Sequence, residues 1–136
     1  MFIFMAKKFN FTVKVYYEDT DSGGVVYYAN YLKFLERARS EAIYSLGYTN
    51  SGLLKKYNVL LIVKSCNIEY KKPAKFENIL DVVSEVTSFT KTSFTMKQNI
   101  LRDSELISVA DIHLVAVDKN GKPSKLPDEL KEKLEN

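Results

Sequence analysis

One segment of this chain is patterned for a long helix. Tyr31, Phe34, Leu35, Ala38, Ala42, Ile43 and Leu46 recur at three- and four-residue spacing, with Lys33, Glu36, Arg37, Arg39, Ser40 and Glu41 mostly between them. That spacing gathers the apolar side chains into one stripe. Gly47 follows as the left-handed residue that ends the helix. Its start lies near Ala29, either with Asn30 as a cap or with a first turn opening at Tyr28. A lone stripe of this kind must be buried against something, and the remaining segments supply it.

Those segments alternate with a period of two. Phe9–Tyr17 sets Phe11, Val13, Val15 and Tyr17 against Thr12, Lys14 and Tyr16, which reads as a strand. After a short helical turn at residues 50–57, further strands are expected at Val59–Tyr70 (ended by Pro73), Ile79–Ser88, Phe94–Leu101 and Leu106–Val117. Asn120-Gly121 marks a turn, and Pro127 precedes a short charged helix, DELKEKLEN. The order strand, long helix, four strands predicts an α+β fold, a curved antiparallel sheet of about five strands wrapped around one long helix. Residues 1–136 form one domain, with residues 1–8 as an N-terminal extension and Met5 as an alternative start.

Composition narrows the function. The net charge of +3, from 20 basic and 17 acidic residues, is too mild and too scattered for a nucleic-acid footprint. The opening MFIFMAKKF places its charges after a short apolar run, the reverse of a signal peptide. No stretch approaches the roughly 20 apolar residues of a membrane span. The single cysteine, Cys66, excludes an internal disulfide. A cytoplasmic protein is expected.

The chemistry gathers in YYEDTDSGGVVYYANY, Tyr16–Tyr31. Glu18, Asp19 and Asp21 run into Gly23-Gly24, then into valines and tyrosines just before the helix. A carboxylate near apolar surface is poorly solvated and becomes more basic. The helix N-terminus beside it offers unpaired N–H groups and partial positive charge. Such a pair suits acyl transfer, the N–H groups holding an oxyanion while the carboxylate attacks or activates water. Acids in this position also serve as plain caps and turn residues.

This stretch resembles the signature of the hotdog-fold acyl-CoA thioesterases, in the Tol-Pal-associated (YbgC-type) branch, which is similar to the 4-hydroxybenzoyl-CoA thioesterases. The likeness extends more loosely through VKSCNIEYKKPAKFENILDV and the later strands. It implies a hotdog fold and hydrolysis of an acyl-CoA to a free acid and CoA. Asp21 would be the nucleophile or general base, with Asp19 shaping the loop. The backbone N–H of Tyr28 would polarise the thioester carbonyl. Many members of the branch carry histidine where this chain has Tyr28. No cofactor is implied, since coenzyme A belongs to the substrate; acyl-carrier protein is an alternative carrier. The resemblance also implies a homodimer or homotetramer with the site between subunits.

A CoA substrate brings phosphates, so cations are expected near the pocket mouth. Lys71 and Lys72 beside Pro73, and Lys91 in a later turn, are the candidates, with Ser65 as a polar contact. Glu36, with Arg37 and Arg39, is expected to form surface or interface ion pairs, Cys66 to be a small buried residue, and His113 to be structural or on the surface. One histidine and one cysteine make no metal cluster. A non-catalytic acyl-CoA or acyl-carrier-protein binding module is the alternative to an enzyme; a hotdog dehydratase is disfavoured, because His113 lies in the wrong context.

Overall fold

The computed structural model describes residues 6–136. Five strands form one antiparallel sheet: β1 (Lys8–Lys14), β2 (Leu60–Tyr70), β3 (Ile79–Phe89), β4 (Ser93–Arg102) and β5 (Glu105–Val117), in the order β1-β3-β4-β5-β2. The long helix α1 (Tyr31–Ser45) lies against one face, over β1 and β3. Helices α2 (Asn50–Tyr57) and α3 (Asp128–Glu135) close one end. The α+β class and the wrapped helix expected from the periodicity are both present. Lys8, placed in an extension by the sequence reading, already pairs with Glu85 in β1; residues 1–5 and the alternative start at Met5 lie outside the described residues.

The core follows from the two periods meeting. The stripe Phe34, Leu35, Ala38 and Ala42 packs on Leu80, Val82 and Val86 of β3 and on Met96 and Ile100 of β4. Besides Ser108 on β5, two core-facing positions on β3 and β4 are polar, Ser84 and Gln98, both fully buried. They satisfy one another: Gln98 Nε2 donates to Ser84 Oγ and to the Leu35 carbonyl, each at 3.0 Å.

Two boundaries differ from expectation. β1 stops at Lys14, because the Asp19 carboxylate accepts the Tyr16 N–H at 2.9 Å and turns Tyr17–Asp19 into a 3-10 turn. The helix opens with a 3-10 turn, Tyr28–Asn30, and Asn30 makes no cap; its side-chain amide donates instead to the Asp19 carbonyl at 2.8 Å.

β2 is an open edge, paired only with β5 and exposed along most of its eleven residues. A bulge between Val63 and Ser65 changes its parity. Leu61 and Val63, and beyond the bulge Cys66, Ile68 and Tyr70, therefore face α1. Cys66, expected to be buried, is exposed because its strand has no neighbour on that side. No helix among the described residues is long and apolar enough to cross a membrane.

Candidate active site

The loop from Val15 to Asn30 is held from within by Asp19. This buried residue takes the Tyr16 N–H on its carboxylate, while its carbonyl accepts from Tyr27 N–H (3.0 Å) and from the Asn30 amide. Asp19 therefore ties both ends of the loop to the head of α1. A second lock comes from the segment after β2: Val26 N–H donates to Ala74 O (2.8 Å) and Phe76 N–H to Gly24 O (3.0 Å).

Asp21 sits at the tip. Its N–H donates to Val25 O and its carbonyl accepts from Gly24 N–H, closing a tight turn that needs Gly24 at φ +79°. The Gly23 N–H donates to Asp21 Oδ1 at 2.8 Å, which sets the carboxylate's direction. A side chain at Gly23 would crowd that same oxygen at 3.3 Å. The carboxylate faces outward, not into the apolar surroundings expected from its neighbours. The turn rotates Val26 into the core and leaves Asp21 exposed.

Tyr28 begins the 3-10 turn that leads into α1. Its N–H has no partner among the described residues, so it is an unspent donor at the positive end of the helix. Its carbonyl accepts the Tyr70 hydroxyl at 3.1 Å. Tyr31 packs edge-on against Tyr70 and takes the Ala74 N–H on its hydroxyl at 3.1 Å. These tyrosines, with Val26, Lys71, Lys72 and Pro73, line an open pocket of about 280 Å³.

The fold thus gathers Asp21, Tyr28, Lys71 and Lys72 at one end of the sheet. Both lysines already have acidic neighbours, Lys71 with Glu69 at 3.5 Å and Lys72 with Glu105 at 2.6 Å. Glu105, held below the usual carboxylate range by its bonds to Lys72 and then Arg102, anchors this corner. Ser65 lies on the sheet face turned away from α1, because residues 66, 68 and 70 face the helix. Lys91 sits in the β3–β4 turn, at the far end of β3 from the loop, roughly 33 Å away along ten strand steps.

Other expectations changed. Within the single chain Glu36 makes no ion pair with Arg37 or Arg39; its carboxylate accepts from Ser40 Oγ, and Arg39 Nη1 reaches Gln98 Oε1 at 3.0 Å. His113 Nδ1 meets Thr95 Oγ1 across the outer sheet face, as a structural histidine would. Among the described residues no group of three His, Cys, Asp or Glu could hold a metal.

Two contributors went unread in the sequence. Arg102 fixes the segment carrying Lys71 and Lys72 by donating to Pro73 O (3.0 Å), Asn78 Oδ1 (2.9 Å) and Glu105 (2.7 Å). Of these partners only Glu105, three residues on, is local. Gln98 did leave a signal, as the one polar residue in the inward series Phe94, Met96, Gln98, Ile100.

The Thioesterase-like superfamily model matches residues 15–134. The chain belongs to that superfamily. This hotdog protein is 40% identical to the acyl-CoA thioesterase YbgC of Haemophilus influenzae, over 90% of its own length and 91% of the relative's. That places it in the YbgC-type branch, among the thioester hydrolases. A probable thioesterase from Bartonella henselae superposes with a TM-score of 0.85 at 31% identity, covering 89% of this chain and all of that one. A 4-hydroxybenzoyl-CoA thioesterase in complex with its substrate superposes at 0.87 with 18% identity, over 93% and 98% of the two chains, which establishes the shared hotdog fold.

Proposed function

We propose that this chain hydrolyses an acyl-CoA thioester at the head of α1, with Asp21 as the reacting carboxylate and the Tyr28 N–H as the oxyanion donor. The observation that carries the reading is the unspent Tyr28 N–H at a helix start that is bonded, through Asn30 and Asp19, to the loop presenting Asp21. The thioester oxygen accepts from Tyr28 N–H, and charge gathers on it as the carbonyl carbon becomes tetrahedral. In one route an Asp21 oxygen forms the new bond, the C–S bond breaks, and CoA leaves as a thiolate that takes a proton; water then cleaves the mixed anhydride. In the other, Asp21 takes a proton from water, whose oxygen adds directly.

A second copy completes this site. The open edge of β2 offers unpaired backbone groups along its length, and such edges are paired or covered in stable proteins. Joining two sheets there makes a homodimer and brings a neighbouring surface over the exposed Asp21; pairing of dimers gives a homotetramer. In the assembly Lys71 and Lys72 exchange their acids for CoA phosphates, whereas Ser65 and Lys91 do not reach the site of their own chain. Acyl-carrier protein is the alternative carrier, and the cytoplasm the place of action.

Thiol release from purified protein tests the reaction. Asp21→Asn is expected to lower kcat/KM by about 10²-fold or more. Single-turnover hydrolysis in ¹⁸O-water separates the routes, since only the anhydride route places label in Asp21. Tight acyl-CoA binding with no turnover would favour the binding-module reading, to which the exposure of Asp21 in the single chain lends weight. A fully active Asp21→Asn protein, free of deamidation, would remove Asp21 from either role.

A further inference from the structure

The trough between α1 and β2 holds two cavities, and a cation, Arg39, lines the second. The first is the pocket at the head of α1. The second, about 180 Å³, has largely apolar walls, among them Ile43, Leu61, Phe94 and Met96. Glu36, Ser40 and Asn50 are its polar lining beside Arg39. Arg39 lines it one turn beyond Glu36 from the head of α1. It shares a helical stripe with Tyr31, two four-residue steps away, so its Cα lies about 12 Å farther along the axis. Its side chain leans back toward the helix start, as helical side chains do. Across the trough, β2 presents Tyr70 to the first pocket and Val63 to the second, with Cys66 between them. Cys66 and Arg39 are neighbours across the trough.

The guanidinium is latched in place. Arg39 Nη1 donates to Gln98 Oε1, and Gln98 is itself fixed by Ser84 and by the Leu35 carbonyl. Among the described residues no carboxylate lies within ion-pair distance of Arg39. The nearest acid on the same helix face, Glu36, is engaged by Ser40. A half-buried cation whose one hydrogen-bond partner is neutral, with the Glu36 charge nearby but not bonded to it, thus lines a largely apolar cavity.

We propose that Arg39 is an acyl-length gate, confining the acyl group to the pocket at the head of α1 and closing the apolar cavity beyond, so that the substrates are short acyl thioesters. This rests on the hydrolase reading above. An alkyl chain entering the second cavity would strip water from the guanidinium without replacing it, or break its bond to Gln98; both cost free energy. A short acyl group pays neither cost. Replacing the cation by an uncharged side chain removes the barrier, and each methylene that then enters the apolar cavity gains affinity.

The test is kcat/KM for butanoyl-, octanoyl- and dodecanoyl-CoA, by thiol release, on proteins shown folded by circular dichroism. Wild type is expected to favour butanoyl- over dodecanoyl-CoA by about tenfold or more, and Arg39→Met and Arg39→Gln to raise the dodecanoyl-to-butanoyl ratio by at least about tenfold. Arg39→Lys keeps the charge and is expected to stay near the wild-type ratio. Adding Ile43→Trp to Arg39→Met fills the second cavity and is expected to lower the ratio again. The gate is refuted if both neutral variants keep the wild-type ratio while rates fall together at every length, as a merely structural role would give. It is equally refuted if wild type already favours dodecanoyl-CoA. A wild-type protein that cleaves none of the three refutes instead the hydrolase reading.

Discussion

Replacing Gln98 by leucine probes how α1 is seated. Gln98 spends its whole amide: two donated bonds, to Leu35 O and Ser84 Oγ, and one accepted from Arg39, all at 3.0 Å in a fully buried position. Each neutral bond contributes about 1 kcal/mol, and an orphaned buried hydroxyl costs about 1–3 kcal/mol. Leucine keeps the volume and removes the amide's own desolvation cost, so the expected net loss is about 3 kcal/mol. In a chain of 136 residues that lowers Tm by roughly 10 °C. Adding Ser84→Ala removes the orphaned hydroxyl, so the double variant should be about 1 kcal/mol more stable than the sum of the single losses. Urea unfolding followed by far-ultraviolet circular dichroism, at one fixed protein concentration because assembly contributes to stability, measures all three. A Gln98→Leu protein within about 0.5 kcal/mol of wild type, or a strictly additive cycle, would refute the reasoning.

Two further outcomes follow from single contacts. Glu129 docks α3 on α2, and the Tyr57 hydroxyl that donates to it at 2.9 Å, with Tyr48 and Lys133 beside it, holds its carboxyl down at about 2, against an ordinary 4.5. A depressed carboxylate stabilises the fold above its ordinary pKa and loses that stabilisation as pH falls through the folded value, so wild-type Tm should fall more steeply than that of Glu129→Gln between pH 4.5 and 2; parallel curves would contradict this. Tyr31→Phe keeps the ring packing on Phe34 and Tyr70 but strands the buried Ala74 N–H, at an expected cost of about 1–3 kcal/mol by thermal unfolding, and an unchanged Tm would show that N–H has another partner.

Much of the site was legible from local patterns. The stripe from Tyr31 to Ile43 identified α1, and the acids and glycines of Glu18–Gly24 marked the loop that Asp19 organises. The candidates that strayed did so for non-local reasons. Ser65 shares its strand with Tyr70 but faces the other way by plain alternation, and the bulge before it, which follows from pairing with β5, is what sets Val63 and Cys66 on one face. Lys71 and Lys72 read as unengaged cations until the β4–β5 hairpin brought Glu105 beside Lys72 and the strand's own pitch brought Glu69 beside Lys71. Arg102 was invisible because two of its partners, Pro73 and Asn78, lie 29 and 24 residues away.

The sequence by itself determined the elements, their order, the apolar face of each, and the loop where acid meets helix start. These are set by backbone geometry, which repeats over two residues in a strand and over three or four in a helix, so a short window contains the whole signal. Only the tertiary structure decided which strands are edges, that Cys66 is exposed, that Asp21 looks outward, and that Gln98 latches Arg39 across the trough. Each of those depends on which distant segment comes to lie alongside, and no periodicity within a strand or helix records its neighbour.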